Sequence, residues 1–188
     1  AWPPRNKLPE GADPLHWYRH EAGRLYEVLS AADPAAPAAT FGRDKTVAFW
    51  HRRMAHETLV HRVDAEQAHG YESAVDPELA VDGVGELFDV FATGYPKWAS
   101  FRPGNTIVRV EAGDRSWNVR LGESFGTRDG EEYRKLTSIL EPEGEPVATI
   151  SGEPDRVMLW MWGRAPIEQT TVTGDVDAAA RFRDVCVR

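Results

Sequence analysis

The chain is nearly without cysteine: one, Cys186, in 188 residues. A single thiol cannot close an internal disulfide, so nothing asks for an oxidising compartment. Its place in an apolar C-terminal stretch reads as packing. Long apolar runs are missing too. No stretch approaches the ~20 residues that span a bilayer, and no signal peptide is visible. The expectation is a cytoplasmic protein with no membrane partner. Positive charge is scarce: 22 Lys and Arg stand against 30 Asp and Glu, for a net charge of −8. With no extended basic run, a nucleic-acid partner is excluded, because phosphate binding needs a basic patch. Internal repeats and low-complexity tracts are absent. The chain begins Ala1-Trp2-Pro3-Pro4 rather than with Met, which raises the expectation of an upstream segment.

What is present is enough apolar material for a packed core, at 41% hydrophobic residues, seven Trp and seven Phe among them. Residues 1–12 read as an extended lead-in. Asp13-Pro14 is a helix start, with Asp as cap and Pro in the first turn. Leu15, Tyr18, Ala22, Leu25 and Leu29 then form a stripe to about Ser30. Residues 31–40 read as a loop. A second helix is expected over 46–69, ending at Gly70, and a third from Asp76-Pro77 to about Thr93. Gly94-Tyr95-Pro96 looks like a domain boundary. Beyond it the period changes to two. Residues 106–110 and 116–121 flank Gly113-Asp114 as a hairpin. Residues 122–146, rich in Gly and Glu, read as irregular. A short strand at 147–150, a helix at 153–162, a strand at 170–173 and a last helix at 176–185 complete the pattern. The expectation is an α+β two-domain chain, with a helical domain at 1–96 and an α+β domain at 97–188.

The most informative segment runs from Phe49 to Asp64. On a helix of 3.6 residues per turn, Glu57, His61 and Asp64 share one face. Trp50 and Arg53 extend it backwards. Val47, Met54 and Ala65 flank it on one side, and Phe49, Val60 and Val63 on the other. Ionisable groups are thus expected in the middle of an apolar face, where burial is costly unless they are paired or hold a metal. Glu57 and His61, one turn apart, can reach one ion, and imidazole with carboxylate suits zinc or a similar divalent cation. They can equally be an ordinary i,i+4 pair, with Arg53 in an ion-pair network to Glu57 or Asp64. The spacing is not that of a zincin, because His56 and His61 point about 140° apart.

The run from His56 to Glu66, preceded by Phe49-Trp50, resembles the core motif of the mycothiol-dependent maleylpyruvate isomerase family. Residues 79–87 resemble it as well, as do Leu159–Arg164 and Val172–Asp175 near the far end. The resemblance covers nearly all of the chain. It implies a DinB-like up-and-down helical bundle followed by a small sterol-carrier-like α+β domain. It also implies a divalent ion, usually zinc, held by two histidines and a glutamate. Motif position assigns Glu57 and His61 as metal ligands. The other histidine belongs to the bundle's first helix, which is expected before Ala1; only three bundle helices are read here. His16 and His20 are not assigned to it. A bundle short of one helix exposes an apolar stripe, and a partner segment or a homodimer would cover it.

The implied chemistry uses mycothiol as cofactor. Zinc acidifies the thiol, the thiolate adds to the cis double bond of maleylpyruvate, the bond rotates, and the thiol leaves. A small carboxylate substrate wants a cation, and the resemblance points to Arg164 as the catalytic candidate. Arg164 can instead be a surface arginine favourable to a helix end. Asp64 is expected to orient His61 or to pair with Arg53. His51 and His69 are expected at the surface. At most one of Trp160 and Trp162 is expected to face the core. Three functions fit the resemblance: a thiol-dependent isomerase, a mycothiol S-transferase on the same metal site, or a non-enzymatic binding or regulatory member without a complete site.

Overall fold

The computed structural model describes residues 7–186. Helices come first in the chain and a mixed sheet with further helices follows, an α+β layout. The chain divides into two compact units: one holds residues up to Thr40 with Asp44–Arg52, the other Phe41–Arg43 with everything from Arg53 onwards.

In the first unit, α1 (Pro14–Ala31) starts where Asp13 accepts a hydrogen bond from the Leu15 amide and Pro14 takes the first turn. None of its residues is buried. Leu15, Tyr18 and Leu25, members of the expected stripe, are exposed. The start of α2 (Val47–Ala68) belongs to this unit too. The His51 Nε2 lies 2.9 Å from the Leu29 carbonyl, so His51 is half-buried rather than a surface residue, and the Trp50 indole donates to the Ala39 carbonyl.

The second unit is built on a five-stranded sheet of order β3-β2-β1-β4-β5. Its strands are β1 (Ser100–Ala112), β2 (Arg115–Arg128), β3 (Glu131–Leu140), β4 (Ala148–Ser151) and β5 (Thr171–Gly174). All neighbours are antiparallel except β1 with β4. Gly113-Asp114 makes the two-residue β1–β2 turn, as expected. The irregular stretch expected at 122–146 is instead the rest of β2 and all of β3, closed by a second turn at Asp129-Gly130 with φ of 55° and 84°. Asp-Gly with positive φ is the favoured tight-hairpin chemistry. The strands escape recognition because they lack alternation: Glu123 pairs across the sheet with Arg102 and Arg134. Gly122 is there for packing, since a Cβ would collide with the Arg102 carbonyl and the Phe101 ring.

The sheet carries α3 (Pro77–Leu87), α4 (Pro154–Met161) and α5 (Val176–Cys186). Val108, Val110, Val119, Leu121 and Ile150 from the strands meet Val84, Met158, Trp160, Phe182 and Cys186 from the helices in one core. Leu59 and Val63 of α2 join it. Trp160 is buried, and Trp162, just past the end of α4, is half-buried against the same core, so both reach it where at most one was expected.

At Phe88–Ala92 the third helix changes to a single π turn, anchored to β3 by the Ser138 hydroxyl donating to the Ala92 carbonyl. Among the described residues no helix is long and apolar enough to cross a membrane.

Candidate functional site

From Arg53 onwards, α2 buries Arg53, His56, Leu59, Val60 and Val63. The line of Glu57, His61 and Asp64 lies at the edge of that buried stripe, not in its middle. His61 is 68% exposed, Glu57 40% and Asp64 39%. Arg53, expected on the inward stripe, is indeed buried; the difference arises because His56, not read on that stripe, turns inward as well and shifts the buried face away from Glu57, His61 and Asp64.

Each inward polar group has an acidic partner on α3. Arg53, 2% exposed, pairs with the equally buried Glu86 and with Glu57. His56 Nε2 lies 2.8 Å from Asp82 Oδ2. Asp82 and Glu86 are one turn apart, as the segment 79–87 places them, and Gly83 between them leaves room for the imidazole. A Cβ there would lie 2.7 Å from Met158 Sδ and 3.2 Å from the His56 ring. These two pairings were missed from the sequence. The signal available was an acid at 82 and at 86, one turn apart and beyond the first turn of a largely apolar helix.

At the edge, the structure brings the predicted residues together. His61 Nε2 is 3.3 Å from Glu57 Oε2, and His61 Nδ1 is 3.1 Å from Asp64 Oδ2. Asp64 in turn receives Arg164 Nε at 2.9 Å and Nη2 at 3.0 Å, a two-pronged carboxylate–guanidinium contact. Arg164 Nη1 donates to the Trp162 carbonyl, and the Arg164 carbonyl accepts from Gln67. Arg53 is therefore not the partner of Asp64; Arg164 is. The hydrogen bond from Arg164 holds the Asp64 carboxyl below its ordinary range, against a smaller opposing effect of burial, and His61 adds to the lowering. Asp64 likewise raises the Arg164 guanidinium above its usual value.

The chemistry of this row follows from its order. An Asp64 carboxylate beside Nδ1 favours the tautomer with its proton there, which leaves the Nε2 lone pair toward Glu57. Glu57 Oε1 is taken by Arg53, through Nε at 3.1 Å and Nη2 at 2.8 Å. Oε2 and Nε2 then face one another at the solvent-exposed edge of the helix, where a proton on Nε2 makes an ordinary ion pair and a cation between them makes a bridge. Their 3.3 Å separation is close to the edge of about 3.4 Å in a tetrahedral site with bonds of about 2.1 Å. The same spacing is that of an ordinary i,i+4 ion pair, so the geometry accommodates two ligands of one ion without requiring it. Among the described residues no group of three or more His, Cys, Asp or Glu is placed to hold an ion. Asp64 is turned to Arg164 and does not complete one. His16 and His20 are exposed on α1, His20 beside Glu21.

Comparison with known proteins bears on the whole chain. No curated protein and no solved structure matches it. Two family models do: the mycothiol maleylpyruvate isomerase N-terminal domain over residues 2–66, and the MDMPI C-terminal domain over residues 78–181. The first ends just after the Glu57–His61–Asp64 row and the second contains Arg164, so both halves of the site fall within matched segments. The chain belongs to the mycothiol maleylpyruvate isomerase family.

Proposed function

We propose that the protein is a metal-dependent, thiol-using enzyme of the maleylpyruvate isomerase type, in which Glu57 and His61 hold a divalent ion, zinc in the first instance. Mycothiol is the thiol cofactor and a small electrophilic carboxylate the substrate. Family membership supports the mycothiol-related, isomerase-like part of this reading. The observation that carries the metal is the pair of acceptor atoms 3.3 Å apart, each backed by a charged neighbour. In this reading residues 1–96 are the metal-binding part, and residues 97–188 contribute Arg164.

When bound, such an ion acidifies a thiol and so supplies a nucleophile at neutral pH. Asp64 keeps the His61 proton on Nδ1, so that Nε2 remains a ligand. The resemblance assigns a further ligand to a histidine of the bundle's first helix. Arg164 is the cation for the substrate carboxylate. Its fork already matches a carboxylate in the contact with Asp64, and a substrate anion competes with Asp64 for it. Thiolate addition to a cis double bond, rotation about the resulting single bond and expulsion of the thiol give the trans product with the thiol regenerated.

Metal analysis of the purified full-length protein tests the site. Wild type should carry about one equivalent, while Glu57→Gln and His61→Ala should each lose most of it and keep their helicity by circular dichroism. A full complement in both variants would show that the ligands are wrong. Incubation with maleylpyruvate and mycothiol, followed by product analysis and thiol titration, tests the reaction. Unchanged total thiol with a trans product supports isomerisation; stoichiometric loss of thiol to a thioether makes the protein an S-transferase instead. Arg164→Lys, which keeps the charge but loses the fork, should raise KM for an anionic substrate more than it changes kcat.

A further inference from the structure

The buried guanidinium of Arg53 takes no part in the chemistry above, yet it touches Glu57 directly. It is 2% exposed. Nε and Nη2 both reach the same oxygen of Glu57, Oε1, while Nη1 reaches Glu86 Oε1. The guanidinium carbon lies 5.1 Å from the centroid of the Phe91 ring and 5.6 Å from that of Trp162. The two rings stand edge to face, 5.6 Å apart.

We propose that Arg53 is the positioning residue of the metal centre: it selects which oxygen of Glu57 is offered to the ion and holds that side chain in one rotamer. This rests on the reading that Glu57 and His61 are ligands. A half-exposed glutamate has three rotatable bonds and two equivalent oxygens, so alone it meets an ion in many ways. Here Oε1 is occupied by two N–H groups, and Oε2 is the oxygen left facing His61.

Only arginine can do this. Its planar fork sends two donors to Glu57 and a third to Glu86, whereas a lysine ammonium offers a point charge without fixed direction. The aromatic rings keep the guanidinium in place and dry, and Phe91 is supplied by the π turn at Phe88–Ala92. Glu86 shares the positive charge, so Arg53 does not neutralise Glu57 alone. A role confined to tying α2 to α3 would use the Glu86 contact and would not need two donors on one oxygen of Glu57.

The two roles separate in a zinc titration of the full-length protein against a chromophoric chelator, with zinc alone as the probe and the folded fraction fixed by circular dichroism. Arg53→Lys and Arg53→Met should each weaken zinc binding about tenfold to a hundredfold, the usual effect of removing a group that orients a ligand. Glu86→Gln, which leaves the Arg53–Glu57 contact in place, should lower thermal stability yet change zinc affinity by less than about threefold. Wild-type zinc affinity in the folded Arg53→Lys protein would overturn the proposal while leaving Glu57 and His61 as ligands. Equal zinc binding by wild type and Glu57→Gln would remove the ligand reading and the proposal together. If Arg53→Met does not fold, Arg53→Lys decides the matter alone.

Discussion

Replacing Glu86 by Gln should be among the most damaging single changes in the chain that alter no volume. Arg53 and Glu86 are each 2% exposed and paired with one another. Losing one partner of a buried ion pair costs about 3–5 kcal/mol, because the other charge stays desolvated without full compensation. Two features of this site pull the figure to the low end. Glu57, half exposed, still faces Arg53, and the Phe91 and Trp162 rings remain beside it, a contact worth about 0.5–2 kcal/mol. A loss of about 3 kcal/mol follows, or about 6–12 °C in Tm at about 2–4 °C per kcal/mol for a chain of this size. Replacing both partners together, Arg53→Met with Glu86→Leu, should recover most of that loss, since a well-packed apolar pair is often as stable as a buried ion pair. Urea unfolding followed by tryptophan fluorescence measures all of these variants. A single Glu86→Gln change costing less than about 0.5 kcal/mol, or a double variant no more stable than the single, would refute the reasoning that the charge is uncompensated without its partner.

The remaining expectations concern neighbouring contacts. Asp64 titrates below its ordinary range in the folded chain, chiefly because Arg164 donates to it, so its stabilising contribution is present above about pH 4 and fades as the pH falls through the folded-state value. The Tm difference between wild type and Asp64→Asn should therefore shrink on acidification; a constant difference across that range would contradict the assignment. Gly83→Ala should destabilise by about 1–3 kcal/mol through overpacking, because the new methyl meets Met158 and the His56 ring; a neutral result in thermal unfolding would mean that both the Met158 side chain and the imidazole move aside at no cost.

How the site was legible differs from residue to residue. Glu57 and His61 could be paired from spacing alone, because i,i+4 neighbours on a helix face one another whatever surrounds them, and they do. Asp64 beside His61 is of the same kind. The contact of Asp64 with Arg164 crosses 100 positions of chain, and no local rule chooses between Arg53 and Arg164 as its partner. Choosing between them required knowing that Arg53 is drawn inward by Glu86. The depth of the row was misjudged for a related reason: a helical wheel ranks faces by hydrophobicity, and here His56 joins Arg53 on the inward face because an acid on another helix meets it there.

The strands follow the same division. Gly113-Asp114 between alternating segments was enough to predict one hairpin, since turn chemistry and period two are both local. Asp129-Gly130 carried the same turn signal, but its strands lacked alternation, and only pairing across the sheet explains their polar residues. What the sequence by itself determined is where helices start and stop, one turn of the sheet, and an acid and an imidazole one turn apart that face each other. Those depend on backbone geometry and on neighbours within a few residues. Which face of α2 turns inward, which arginine serves which carboxylate, and how far the row stands open to solvent were decided only by the tertiary structure, because each is a competition between partners that are distant in the chain and adjacent only after folding.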